Sequence, residues 1–91
     1  MFKNRTKKQG VFMKKSKVTN DIYNICGKNI KKIRKEQKVT QDELCARMQV
    51  MGYQISRSDI SKLENGKKFI TDFELLGFSK ALNVSILDLF K

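Results

Sequence analysis

Ile55-Ser56-Arg57-Ser58-Asp59-Ile60-Ser61-Lys62-Leu63-Glu64-Asn65-Gly66 (residues 55–66) is the stretch from which the fold can be read. Its first six residues run apolar, hydroxyl, two of any kind, acid, apolar. That order writes a helix start. The Ser56 hydroxyl accepts from a backbone N–H of the first turn, the Asp59 carboxylate reaches back, and Ile55 and Ile60 clamp the entry. Asn65-Gly66 then supplies a residue able to take positive φ where the last turn closes. At about 100° per residue, Ile60 and Leu63 share one side of this helix. Arg57, Ser58, Ser61 and Lys62 share the other, a face with two cations, two hydroxyls and no acid.

The same six-residue code recurs on both sides: Val39-Thr40-Gln41-Asp42-Glu43-Leu44, Ile70-Thr71-Asp72-Phe73-Glu74-Leu75 and Val84-Ser85-Ile86-Leu87-Asp88-Leu89. In two of the four boxes Asp stands where Glu is usual, so the reciprocal bond there has a shorter arm to make it. The carboxylates fall at the positive ends of helix dipoles. The neighbouring acids Asp42 with Glu43, and Asp72 with Glu74, are therefore read as helix-start residues and not as catalytic pairs. The first helix has no such box and is placed from about Lys28 to Gln37, after Gly27, with Ile30 and Ile33 inward. Asn83 ends the fourth helix as a residue tolerant of positive φ. Five helices are expected, near 28–37, 41–50, 57–64, 72–82 and 86–90, with no strand pattern and no proline. Leu44 with Met48, Ile60 with Leu63, and Leu75, Phe78 (or Ser79) and Leu82 keep helical spacing and are read as core. Cys45 reads as a small core residue. The fold class is all-α.

Ninety-one residues suffice for one domain. The formal charge is +11, and it is unevenly placed. Residues 1–20 hold Lys3, Arg5, Lys7, Lys8, Lys14, Lys15 and Lys17 with no acid; the remaining residues carry thirteen bases and nine acids. The expected organisation is an irregular basic arm over 1–20 and a folded domain over 21–91. A basic arm on a mildly basic body points to a polyanionic partner, with nucleic acid first among them. No apolar run is long enough to span a membrane, and none follows the basic start as a signal peptide requires. A cytoplasmic protein is expected.

Enzyme chemistry finds little to work with. Histidine is absent, so a serine or cysteine nucleophile has no usual base. There is no GxxxxGK[ST] loop, and no GxGxxG follows a strand. Cys26 and Cys45 match no metal or redox spacing and are read as two buried thiols. Neither enzymatic activity nor a cofactor, metal or small-molecule ligand is expected.

The outward face of 57–64 has the width a major groove accepts. Arg57, in the first turn, can fork onto guanine O6 and N7, and Lys62 can reach guanine or a phosphate. A capped helix beginning at Gln41 precedes this one, and Asn65-Gly66-Lys67-Lys68 follows it with donors and charges suited to a nucleic-acid backbone.

With these residues in view, Ile25 to Phe90 resembles the Cro-like phage-repressor (Xre-type) helix-turn-helix family. The resemblance rests on Ile30-x-x-Ile33-Arg34, Thr40-Gln41-x-Glu43-Leu44, and Ser56-Arg57-Ser58-x-Ile60-Ser61-Lys62-Leu63-Glu64-Asn65-Gly66-Lys67. Leu75-x-x-x-Ser79-Lys80-Ala81-Leu82-Asn83-Val84-Ser85 and Leu89-Phe90 complete it. It implies a compact five-helix, lambda-repressor-like domain that binds double-stranded DNA. It implies that Gln41 grips a phosphate, that Arg57, Ser58, Ser61 and Lys62 face bases or groove, and that Asn65 and Lys67 touch the backbone. Relatives of this kind commonly regulate transcription, often as repressors, and bind pseudo-palindromic operators as homodimers. A protein-interaction module of the same fold, such as an antitoxin component, is the competing reading. One segment departs from the pattern. Gln49-Val50-Met51-Gly52-Tyr53-Gln54-Ile55 makes the turn about five residues longer than the usual tight one. A second helix prolonged to near Gly52 is the expected accommodation, with the interhelix angle and the contacts of Tyr53 left to the structure.

Overall fold

The computed structural model describes residues 22–91. The basic arm expected over 1–20 lies outside them. Four α-helices, α1 (Gly27–Glu36), α2 (Gln41–Val50), α3 (Arg57–Glu64) and α4 (Asp72–Leu82), are followed by a 3-10 helix, Ile86–Phe90. The five expected elements are all present, and the described residues contain no strand. The last element is a 3-10 helix rather than an α-helix.

All four starting boxes close in both directions. The two Asp boxes do so as well. Ser56 N donates to Asp59 Oδ2 at 3.0 Å, and Ser85 N donates to Asp88 Oδ2 at 3.1 Å. In α1 the preceding residue, Cys26, offers no side-chain cap. Asn24 substitutes from farther upstream, its Oδ1 accepting from Gly27 N at 2.6 Å.

The four helix ends also share one device, a backbone bond spanning five residues across a left-handed pivot. Val39 N donates to Arg34 O, Tyr53 N to Met48 O, Lys67 N to Lys62 O, and Val84 N to Ser79 O. The pivots are Lys38 (φ 60), Gly52 (φ 97), Gly66 (φ 73) and Asn83 (φ 55). The expected prolongation of α2 is corrected here. The helix stops at Val50, Met51 caps it, and Gly52 turns the chain back. The extra residues form a packed turn. The Tyr53 ring lies so close over Gly77 of α4 that a Cβ there would come within 2.7 Å of it. Ile55 is buried, and its carbonyl accepts from Cys45 Sγ at 3.4 Å and from Gln49 Nε2 at 3.0 Å.

Every element sends at least one large side chain inward. Ile30, Leu44, Met48, Ile60, Leu63, Phe78, Leu82 and Leu89 are all fully buried. Leu75 packs against this core half-buried. Cys26 and Cys45 are buried and free, and burial pushes the Cys26 thiol up from its ordinary value. Beside the apolar core lies a buried ionic knot. Arg34 donates through Nε to Glu64 Oε2 at 2.7 Å, through Nη2 to Glu64 Oε1 at 3.0 Å, and through Nη1 to Val39 O at 2.8 Å. Gln41 Nε2 joins at 2.9 Å from Glu64 Oε1. One carboxylate thus ties α1, α2 and the end of α3 together.

Helix α1 approaches α3 at Gly27. A Cβ at that position would overlap the Leu63 carbonyl oxygen and lie 2.9 Å from its carbon. Asn24 Nδ2 stitches the same place, donating to Leu63 O at 3.0 Å and Lys68 O at 2.8 Å, while Tyr23 N donates to Gly66 O at 2.7 Å.

Candidate nucleic-acid interface

The direction in which α3 faces follows from its two apolar residues. Ile60 and Leu63 are sunk in the core, which turns Arg57, Ser58 and Lys62 to solvent and leaves Ser61 half-buried. The first turn of α2 comes alongside, so Gln41, Arg57, Ser58 and Ser61 line one shallow depression. Four of the seven residues singled out from sequence therefore meet in space. Lys62, Asn65 and Lys67 do not line that depression. They continue along α3 and the loop beyond it, all three exposed.

Gln41 is held in place by its bond to the buried Glu64. An amide nitrogen carries two hydrogens, so a second donor remains for a ligand oxygen. Asn65 caps α3 and Gly66 makes the left-handed step that sends Lys67 outward. The Asn24 and Tyr23 bonds lash the 63–68 segment from the other side, so the backbone that presents Asn65 and Lys67 is anchored at both edges.

Two acids shape the charge of this surface. Asp59 lies on the flank of α3, and its carboxyl is held below the usual range. The Ser56 backbone N–H comes first among the causes, then the Ser56 hydroxyl, with Lys68 and Lys62 adding smaller pulls. Lys68 Nζ is 3.8 Å from its Oδ1. Its charge is thus answered within its own cap. Asp42 is different. It projects from α2 and places Oδ1 3.5 Å from Arg57 Nε, with both side chains largely exposed. Projection of α3 alone shows no acid on the outward face, which is true of that helix. The acid arrives from its neighbour, and only the packing of α2 on α3 reveals it.

Among the described residues no cluster of potential metal ligands occurs, and no helix is long and apolar enough to cross a membrane. The described surface offers a row of polar and cationic side chains on one helix, with a second helix start beside it. That is the arrangement by which a helix enters a groove while its neighbour meets the phosphate chain. A family model described as helix-turn-helix, of the Cro-like type, matches residues 30–89. The chain belongs to that family. As a Cro-like helix-turn-helix protein it is a DNA-binding regulator. Helices α2 and α3 are the paired helices of the motif, and the long turn at 49–55 lies inside the matched span. The family is one of DNA-binding regulatory domains and is not typically enzymatic. No curated protein and no solved structure matches the chain significantly.

Proposed function

We propose that this helix-turn-helix protein is a sequence-specific transcriptional regulator, a repressor of the Xre/Cro type, that places α3 in the major groove of duplex DNA. The observation that carries the reading is the shared depression of Gln41, Arg57, Ser58 and Ser61 at the junction of α2 and α3. Arg57, Ser58, Ser61 and Lys62 face bases or groove. Gln41, Asn65 and Lys67 grip phosphates, which fixes register without carrying sequence information. The seven cations of residues 1–20 add affinity that falls steeply with salt, at up to ~0.9 logarithmic units of slope per phosphate neutralised. The protein acts in the cytoplasm, as a homodimer on a pseudo-palindromic site.

The test begins with selection of bound sequences from random duplex DNA. Arg57→Ala and Lys67→Ala are then titrated against the selected and a scrambled duplex at three salt concentrations. Arg57→Ala costs about 1–3 kcal/mol on the selected site and relaxes preference at one base position per half-site. Lys67→Ala weakens both duplexes about equally and lowers the salt slope by about 1. Parallel loss in Arg57→Ala, with the specificity ratio intact, would make Arg57 a phosphate clamp and remove it from base reading.

A further inference from the structure

We propose that Asp42 is a positioning residue that sharpens base discrimination through Arg57 while lowering the protein's affinity for DNA at large. The inference rests on the reading of Arg57 as the side chain that meets a guanine.

Asp42 has no part in the hydrogen bonds that start α2. The capping box is completed by Thr40 and Glu43, so the Asp42 carboxylate is spared that work. It stands beside the depression of Gln41, Arg57, Ser58 and Ser61, where a phosphate-binding surface gains nothing from an anion. What it does meet is Arg57, and it meets it on the Nε side. A guanidinium offers two usable edges. With a carboxylate along the Nε edge, the edge formed by the two terminal nitrogens is left to fork onto guanine O6 and N7. The same contact disfavours rotamers in which the guanidinium swings aside to a phosphate.

In free solution such an exposed pair is worth little. Its effect grows when α3 seats in a groove and water leaves, because the local dielectric falls. The carboxylate then has two consequences of opposite sign. It repels the phosphate chain on every sequence. On the correct base that repulsion is offset by an arginine already oriented for its two hydrogen bonds, and on a wrong base nothing offsets it. A repulsive element that penalises wrong partners more than the right one raises the ratio between them.

The full chain is compared with Asp42→Asn, Asp42→Glu, Arg57→Ala and the double variant Asp42→Asn/Arg57→Ala. Each is titrated against the selected duplex, a duplex altered at the base pair where Arg57→Ala relaxes preference, and a scrambled duplex. Asp42→Asn binds scrambled DNA roughly two- to five-fold more tightly, the size expected for losing one exposed charge interaction. It gains nothing on the selected site, so discrimination at the altered base pair drops by a comparable factor. Asp42→Glu restores most of that discrimination. In the Arg57→Ala background, Asp42→Asn no longer changes it. A carboxylate that only favoured the positive end of the α2 dipole would shift the melting temperature and leave the ratio alone. If Asp42→Asn raises all three affinities in parallel, or lowers the ratio equally without Arg57, the inference is overturned while the reading of Arg57 stands. If Arg57→Ala itself leaves the ratio intact, both fall together.

Discussion

Gly27→Ala puts the close crossing of α1 on α3 under load. In an unencumbered helix the added methyl group would help, since alanine is favoured over glycine by up to about 1 kcal/mol. Here the new Cβ overlaps the Leu63 carbonyl oxygen, with the carbonyl carbon at 2.9 Å and Asn24 Oδ1 at 2.8 Å. Ordinary Cβ contacts begin near 3.4 Å. The obstruction is backbone, so no rotamer change relieves it, and the oxygen already accepts from Asn24. Helices α1 and α3 must part to clear the overlap, which loosens the core that Ile30, Ile60 and Leu63 share and strains the Arg34–Glu64 pair. Forced overpacking costs about 1–3 kcal/mol, and the strained hydrogen bonds of Asn24 add to it. With the propensity gain deducted, the net loss is about 2 kcal/mol. For a domain of this size that lowers the melting temperature by about 8–16 °C. Gly52→Ala is the control. Its φ of 97 strains any side chain, but nothing lies within 4 Å of the new Cβ. Its cost is conformational only, about 1–2 kcal/mol. Thermal and urea unfolding followed by circular dichroism measures both. A Gly27→Ala protein that melts at or above the parent temperature would refute the close crossing of α1 on α3. The Asn24 stitch built on that crossing would go with it.

Two further expectations concern the folded state. Glu64→Ala leaves the buried Arg34 guanidinium without its partner and frees Gln41, at a cost of about 3–5 kcal/mol; a urea midpoint close to that of the parent would show that the ionic knot carries no such weight. Stability should also fall in acid. Glu43 and Asp59 are pulled below the usual range chiefly by the backbone N–H groups of Thr40 and Ser56, and Asp88 by Lys91 and then Ser85. Folded values below unfolded ones mean that the stabilisation is complete above about pH 5, where unfolded carboxylates are ionised. It is lost as pH falls through the folded values. Unfolding midpoints measured from pH 7 down to 3 should hold level and then decline, and a midpoint that rises toward pH 3 would contradict the caps.

Local chemistry was legible in the sequence because its partners are close along the chain. Thr40 and Glu43, or Ser85 and Asp88, sit three residues apart, so the pattern contains both halves of each bond. The inward sides of α3 and α4 were legible for the same reason. Lys38 was not, because lysine carries no preference for positive φ. What imposes that conformation is Val39, buried as the first residue of the next staple, with only a short link from the end of α1. The range 41–50 expected for α2 holds, but its prolongation to near Gly52 does not, since a left-handed glycine stands outside the helix it closes. Gly27 was seen only as a marker before a helix. Its actual office, letting α1 touch a carbonyl 36 positions away, depends on tertiary packing. The same holds for Gln41 on Glu64, for Tyr53 on Gly77, and for Asp42 beside Arg57. Each pairs residues whose separation in sequence carries no period.

The turn between α2 and α3 is longer than a helix-turn-helix needs, yet it is held along its course. Gly52 N and Tyr53 N bond back to Gln49 O and Met48 O, the Tyr53 ring rests on Gly77, and the Ile55 carbonyl takes two donors. A linker of that length left loose would let the two helices adjust their angle to each site they met. This one ties the turn to α2 through four hydrogen bonds and to α4 through the ring contact, which disfavours such adjustment. A pair of helices that resists adjustment transfers the burden of fitting to the duplex, whose willingness to bend, twist or narrow depends on its own sequence. On the proposed reading of the protein as sequence-specific, base pairs that no side chain touches would then enter the choice of site through the stiffness of the DNA between the contacts.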